Sequence, residues 1–71
     1  MEMQSVSSSD VSEIGYDFDT ATLRIRFLKG GALYDYYGVP EDVYMGLMSA
    51  SSIGQYLNVY IKKGGYQYAR V

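Results

Sequence analysis

The sequence predicts a small α+β domain: a three-stranded antiparallel meander, two helices packed on one of its faces, and a short C-terminal strand. Three observations carry this. Residues 22–27 alternate strictly between polar and apolar, the period-two signature of a half-buried strand. After Pro40 the apolar residues recur at one-turn spacing, which is the signature of a helix. The whole chain has 71 residues, enough for one domain with a thin core.

Residues 1–5 read as a frayed, flexible terminus, and 6–71 as the single domain. Ser7-Ser8-Ser9 reads either as a flexible lead-in or as a polar edge strand. Val11 to Tyr16 is the first strand, with Ile14 and Tyr16 on one face. Asp17-Phe18-Asp19-Thr20 carries turn chemistry, because an Asp side chain can bond nearby backbone amides. Thr22 to Leu28 follows, with Leu23, Ile25 and Phe27 on one face and Arg24 and Arg26 on the other. Lys29-Gly30-Gly31 is a hairpin turn, since two glycines can both take positive φ. Ala32 to Tyr37 is the third strand. Tyr34 and Tyr36 share one face; Leu33, Asp35 and Tyr37 share the other.

Gly38-Val39-Pro40 ends that strand and starts a helix, with Pro40 expected at the first helical position and Glu41 and Asp42 at the positive helix end. Val43, Tyr44, Leu47 and Ala50 form its apolar face. Ser52 offers a cap for a second helix, Ile53 to Lys63, with Tyr56, Leu57, Tyr60 and Ile61 as its buried face. Gly64-Gly65 stops it. Tyr66 to Val71 is a final strand or extended tail.

Composition limits the chemistry. There is no Cys and no His, so disulfides, thiolate nucleophiles, imidazole bases and the usual zinc ligands are all missing. A domain this small usually needs a staple. Dense aromatic packing from nine tyrosines and self-association are the remaining means, so a homo-oligomer is expected. No catalytic group, metal or cofactor is expected, and the chain reads as a binder rather than an enzyme. No apolar run is long enough to span a bilayer, and no signal segment is visible, so a cytoplasmic setting without membrane contact is expected. The net charge is −2. Acids crowd residues 1–21, and the bases come later as Arg24, Arg26, Lys29, Lys62, Lys63 and Arg70. An acidic total disfavours a broad nucleic-acid footprint but leaves room for a phosphate held by a local basic cluster.

Four places invite a ligand, each with a plainer reading. Arg24 and Arg26 leave the same strand face about 6.6–6.8 Å apart. They either fork onto a phosphate or carboxylate or balance Glu13 and Asp35 on a solvated face. Tyr34 and Tyr36 either stack bases or pack beneath the helices, which leaves Tyr37 as the better contact residue. Ser52 and Gly54 either form an anion-binding helix start or serve as an ordinary cap and a relief of helix crowding. Lys62, Lys63 and Arg70 either complete a basic rim or merely solubilise an edge. Asp17, Asp19 and Thr20 supply too few carboxylates for a dedicated calcium site.

Val6-Ser7-Ser8-Ser9, Ile14-Gly15-Tyr16-Asp17, Leu23-Arg24-Ile25-Arg26-Phe27, Tyr34-Asp35-Tyr36 and Gly38-Val39-Pro40 occur in that order. Val43-Tyr44, Leu47, Ala50 and then Ser52, Gly54, Tyr56, Asn58, Ile61 and Lys62 follow. In this the chain resembles the KTSC family, small domains named for a C-terminal extension of some lysyl-tRNA synthetases and also found alone in bacterial and phage proteins. The resemblance implies the fold, and RNA is the partner suggested for the family. The candidate ligand-binding residues are then Arg24, Arg26, Tyr37, Ser52, Gly54, Tyr56, Asn58, Lys62 and Arg70. The expected function is binding of a nucleotide-type small molecule. A phage-encoded form would sequester a nucleotide signal in the host cytoplasm. RNA binding and a structural or protein-interaction role are the alternatives.

Overall fold

Each strand of the protein hydrogen-bonds to the next one along the chain. The structure, a computed structural model, describes residues 1–71. Strands β1 (Met3–Ser5), β2 (Val11–Asp17), β3 (Thr22–Phe27), β4 (Leu33–Tyr36) and β5 (Tyr68–Arg70) form one five-stranded sheet in sequence order. Every pairing is antiparallel. Helix α1 spans Glu41–Met48; α2 spans Ile53–Tyr56 and runs on as a π-helical segment, Leu57–Lys62. No helix is long and apolar enough to cross a membrane.

The central hairpin forms as its sequence dictates. Leu23 and Ile25 are fully buried, while Arg24 and Arg26 lie on the opposite face. Gly30 and Gly31 both take positive φ in the β3–β4 turn. Asp17 accepts from the Asp19 amide at 2.9 Å, the expected turn chemistry. Tyr16 donates to the Val39 carbonyl and stacks on Tyr44 with ring centroids 4.5 Å apart. That joins the sheet to the start of α1. Val11, Ile14, Tyr36, Leu47, Leu57 and Ile61 complete the core between sheet and helices.

Three expectations are corrected, and one open choice is decided. Met3–Ser5, read as part of a frayed terminus, pair with β2 as an edge strand. Gly15 makes room for this: a Cβ there would meet Met3 Sδ at 2.5 Å and the Glu2 carbonyl at 3.0 Å. Ser7-Ser8-Ser9 forms no strand; Ser8 instead accepts from the Asp10 and Val11 amides at 3.1 and 3.3 Å. Pro40 is the cap of α1 rather than its first helical residue, with extended ψ of 149°, and its carbonyl accepts from Val43 and Tyr44.

The third correction concerns α2. Tyr60 was expected in the buried face but is 55% exposed. Lys63 donates to the Asn58 carbonyl, five residues back, at 3.3 Å. The wider π turn keeps Leu57 and Ile61 inward and swings Tyr60 out. Strand β2 has an irregularity of its own. Its register shifts between Val11 and Glu13, so Ser12 is an extra residue, with its hydroxyl on the Arg26 carbonyl at 3.2 Å. This bulge lets Val11 and Ile14 both face the core despite their odd spacing.

Candidate functional site

The two sheet faces differ in how far their charges are committed. On the face away from the helices, Arg24 holds Asp35 with two bonds of 2.6 and 2.8 Å. Asp35 is only 7% exposed. Its hydrogen bonds keep the guanidinium protonated more firmly than usual. Arg26 holds Glu13 at 2.9 Å and the Gly31 carbonyl at 3.2 Å. Both guanidinium forks thus grip carboxylates of this chain, the balanced arrangement weighed above. Tyr37 is exposed at the end of β4, where its amide bonds the Gln67 carbonyl at 2.8 Å.

The start of α2 is likewise committed. Ser52 caps it through the Gln55 amide at 3.4 Å. A Cβ on Gly54 would meet an Asp10 carboxylate oxygen at 2.7 Å. Gly54 therefore accommodates Asp10 rather than another helix, and the acid facing the helix start repels an external anion. Tyr56 is a packing wedge: its ring crosses α1 at Gly46 and lies 4.5 Å from the Tyr60 ring. Burial, then the neighbouring phenol Tyr60 and Asp42, raises its pKa above 10. Asn58 is exposed on the π segment.

The helix-side face tells a different story at its β4–β5 end. The helices stop short there and leave an open groove of about 460 Å³. Phe27, Tyr34, Tyr36 and Tyr68 line it, with Ala32 and the two cations Lys29 and Lys62. Phe27 meets Tyr34 edge-on at 5.7 Å. Tyr68 lies 6.2 Å from Tyr34 and 5.6 Å from Tyr36. Lys62 Nζ sits 5.0 Å above the Phe27 ring. Arg70 stands opposite Tyr34 in the sheet, and opposite residues share a face. Tyr36 is nearly buried at the groove floor, and burial, then Tyr68 and Tyr34, raises its pKa.

Of the nine candidates the groove is lined by Lys62 alone; Arg70 shares its sheet face without lining it, and the other seven lie elsewhere. The structure adds Phe27, Lys29, Tyr34, Tyr36 and Tyr68. Three of these, Phe27, Tyr34 and Tyr36, were assigned to the core face; Tyr36 is buried there, and Phe27 and Tyr34 pack against the core partly buried. The helices cover too little of the sheet to bury Tyr34 and Phe27. A usable signal was present: two glycines in the turn put Phe27 and Tyr34 at the far end of their hairpin.

The KTSC domain model matches residues 7–68. The chain belongs to the KTSC domain family. A crystal structure of a KTSC domain protein from Yersinia pestis is similar at a TM-score of 0.91 and 40% identity, covering 99% of this chain and 96% of that one. An uncharacterized protein of Stutzerimonas stutzeri is 35% identical over 71 residues, 100% of this chain and 99% of its own length. A protein of Tsukamurella paurometabola is 43% identical over 60 residues, 84% of this chain and 88% of its own. The KTSC core thus includes β2 to β4, both helices and the start of β5, which holds every ring of the groove.

Proposed function

We propose that this KTSC domain is a non-enzymatic binder of a nucleotide-type small molecule, and that the groove of Phe27, Tyr34, Tyr36 and Tyr68 takes it. One observation carries the reading: four aromatic rings around an open groove with Lys29 and Lys62 among its lining. Aromatic side chains give a base a stacking surface. The ammonium groups give a phosphate its counter-charge without a metal. Pockets of this size, with apolar walls and few polar groups, suit small ligands. A protein with such a site and no acid–base pair holds its ligand unchanged. In a phage setting that would amount to sequestering a nucleotide signal.

RNA would stack on the same rings, but the chain's −2 charge weakens its attraction for a long polyanion. Calorimetry with nucleoside mono- and diphosphates, cyclic dinucleotides and a short single-stranded RNA tests both. The expected result is heat from at least one nucleotide, with binding roughly tenfold weaker or worse in Tyr68→Ala, because stacking on a ring contributes about 1–3 kcal/mol per base. Lys62→Ala weakens it too, and Arg26→Ala leaves it unchanged. Binding that persists in both groove variants, or no heat from any probe, refutes the assignment. Binding of the RNA alone, steeply salt-dependent, replaces it with the RNA reading.

A further inference from the structure

Strand β5 is bonded on one side only. It closes the sheet, and all three of its residues are exposed. Gln67 accepts from the Tyr37 amide and Val71 donates to the Leu33 carbonyl, both at 2.8 Å. Ala69 pairs with Asp35 between them. In an antiparallel ladder the inward-directed residues alternate with outward-directed ones. The N–H and C=O groups of Tyr68 and Arg70 therefore point away from β4, along an open edge. Such an edge is a template for another strand, and proteins blunt it with shortness, charge, Pro, a bulge or a cover. β5 is short and carries Arg70, but it has no Pro and no register shift against β4.

We infer that a second copy of this chain pairs antiparallel along β5, with Ala69 of both copies on the twofold axis. This register sets Tyr68 opposite the partner's Arg70, and Arg70 opposite the partner's Tyr68. All the outward N–H and C=O groups of both residues then find partners. The side chains also match. Tyr68 and Arg70 lie on the groove face, across from Tyr36 and Tyr34, so each contact is a guanidinium beside an aromatic ring, a favourable pairing. Sliding the register to put Arg70 against itself opposes like charges. Sliding it to put Tyr68 against itself leaves Arg70 facing Tyr66, outside the strand.

The other edge, β1, lacks this complement. Val6 donates to the Ser12 carbonyl and Gln4 pairs with Ile14, so Met3 and Ser5 face outward, with neither charge nor ring. On the β5 edge the partner also completes the site, because its Arg70 arrives beside Tyr68 on the wall of the groove. A three-residue seam is small beside stable interfaces, so the dimer is concentration-dependent. The inference rests on the backbone geometry of β5, whether or not the groove takes a nucleotide, and its test needs no ligand.

The test is sedimentation of the full chain over a concentration series, together with single cysteines in this Cys-free sequence. Across the axis the two Ala69 Cα atoms lie about 4.5 Å apart as a non-hydrogen-bonded pair, within disulfide reach. Under mild oxidation Ala69→Cys is expected to form covalent dimer several-fold faster than Gln4→Cys on the other edge or exposed Ser49→Cys. Wild type approaches twice the 8.0 kDa chain mass as concentration rises. Arg70→Pro removes an outward N–H without touching the bonds to β4, and stays at one chain mass with unchanged circular dichroism. Wild type at one chain mass throughout, or Ala69→Cys crosslinking no faster than Ser49→Cys, overturns the inference.

Discussion

Gly46→Ala sets two well-known effects against each other at the crossing of α1 and α2. Alanine in a helix interior is favoured over glycine by about 0.5–1 kcal/mol. The structure opposes that gain. A Cβ on Gly46 would lie 2.9 Å from Cζ of Tyr56 and nearer still to its hydroxyl. The ring has little room to yield, because it is half-buried and 4.5 Å from Tyr60. Overpacking of this kind costs about 1–3 kcal/mol. The net expectation is a loss of about 1 kcal/mol, or about 4–8 °C of melting temperature in a domain of this size. Thermal unfolding followed by circular dichroism measures it. Adding Tyr56→Leu removes the ring and restores the helical benefit of the alanine, so the double-mutant cycle shows coupling of about 2 kcal/mol, the full overpacking cost. If Gly46→Ala alone melts at or above wild type, the wedge role of Tyr56 is wrong.

The two ion pairs should differ in weight. Asp35→Ala strands a guanidinium only 29% exposed and is expected to cost about 2–3 kcal/mol, less than a fully buried pair because Arg24 reaches water. Glu13→Ala, in a pair exposed 41% and 34%, should cost about 0–1 kcal/mol; equal urea midpoints for the two would count against the burial argument. Stability should also fall in alkali. Burial raises the pKa of Tyr16, Tyr36 and Tyr56 above the ordinary 10.0, so their contribution is complete below that value. As pH rises past it the unfolded chain loses phenolic protons that the folded chain keeps, and stability drops until the folded pKa values are passed. Melting curves from about pH 8 to 11.5, read beside tyrosinate absorbance, check this; an unchanged melting temperature would contradict it.

The central hairpin was legible because one rule governs it. Strict alternation over Thr22–Phe27 decides both faces, and Gly30-Gly31 decides the turn. Ser52 was legible as a cap for the same local reason. The features that escaped depend on neighbours distant in sequence. β1 is a strand because Gly15 leaves room for Met3. The bulge at Ser12 defeats simple alternation in β2, and the π turn defeats helical spacing at Tyr60. At the site, sequence placed Arg24 and Arg26 on one face and offered Asp35 and Glu13 as their partners, but it could not decide between that pairing and an external anion; the structure shows the pairing. Asp10 at Gly54 was invisible. The groove exists because the helices end before they cover Tyr34, a matter of reach that no local pattern encodes.

The order of the sheet has a kinetic consequence. β1 to β4 pair in succession along the chain, so their contacts close short loops and form early. β5 alone must wait for both helices before Tyr68 can find Tyr36. It is the last strand to dock and the first expected to exchange its amide hydrogens. The wall of the groove is thus also the latch of the fold, and a molecule bound against Tyr68 would hold that latch shut.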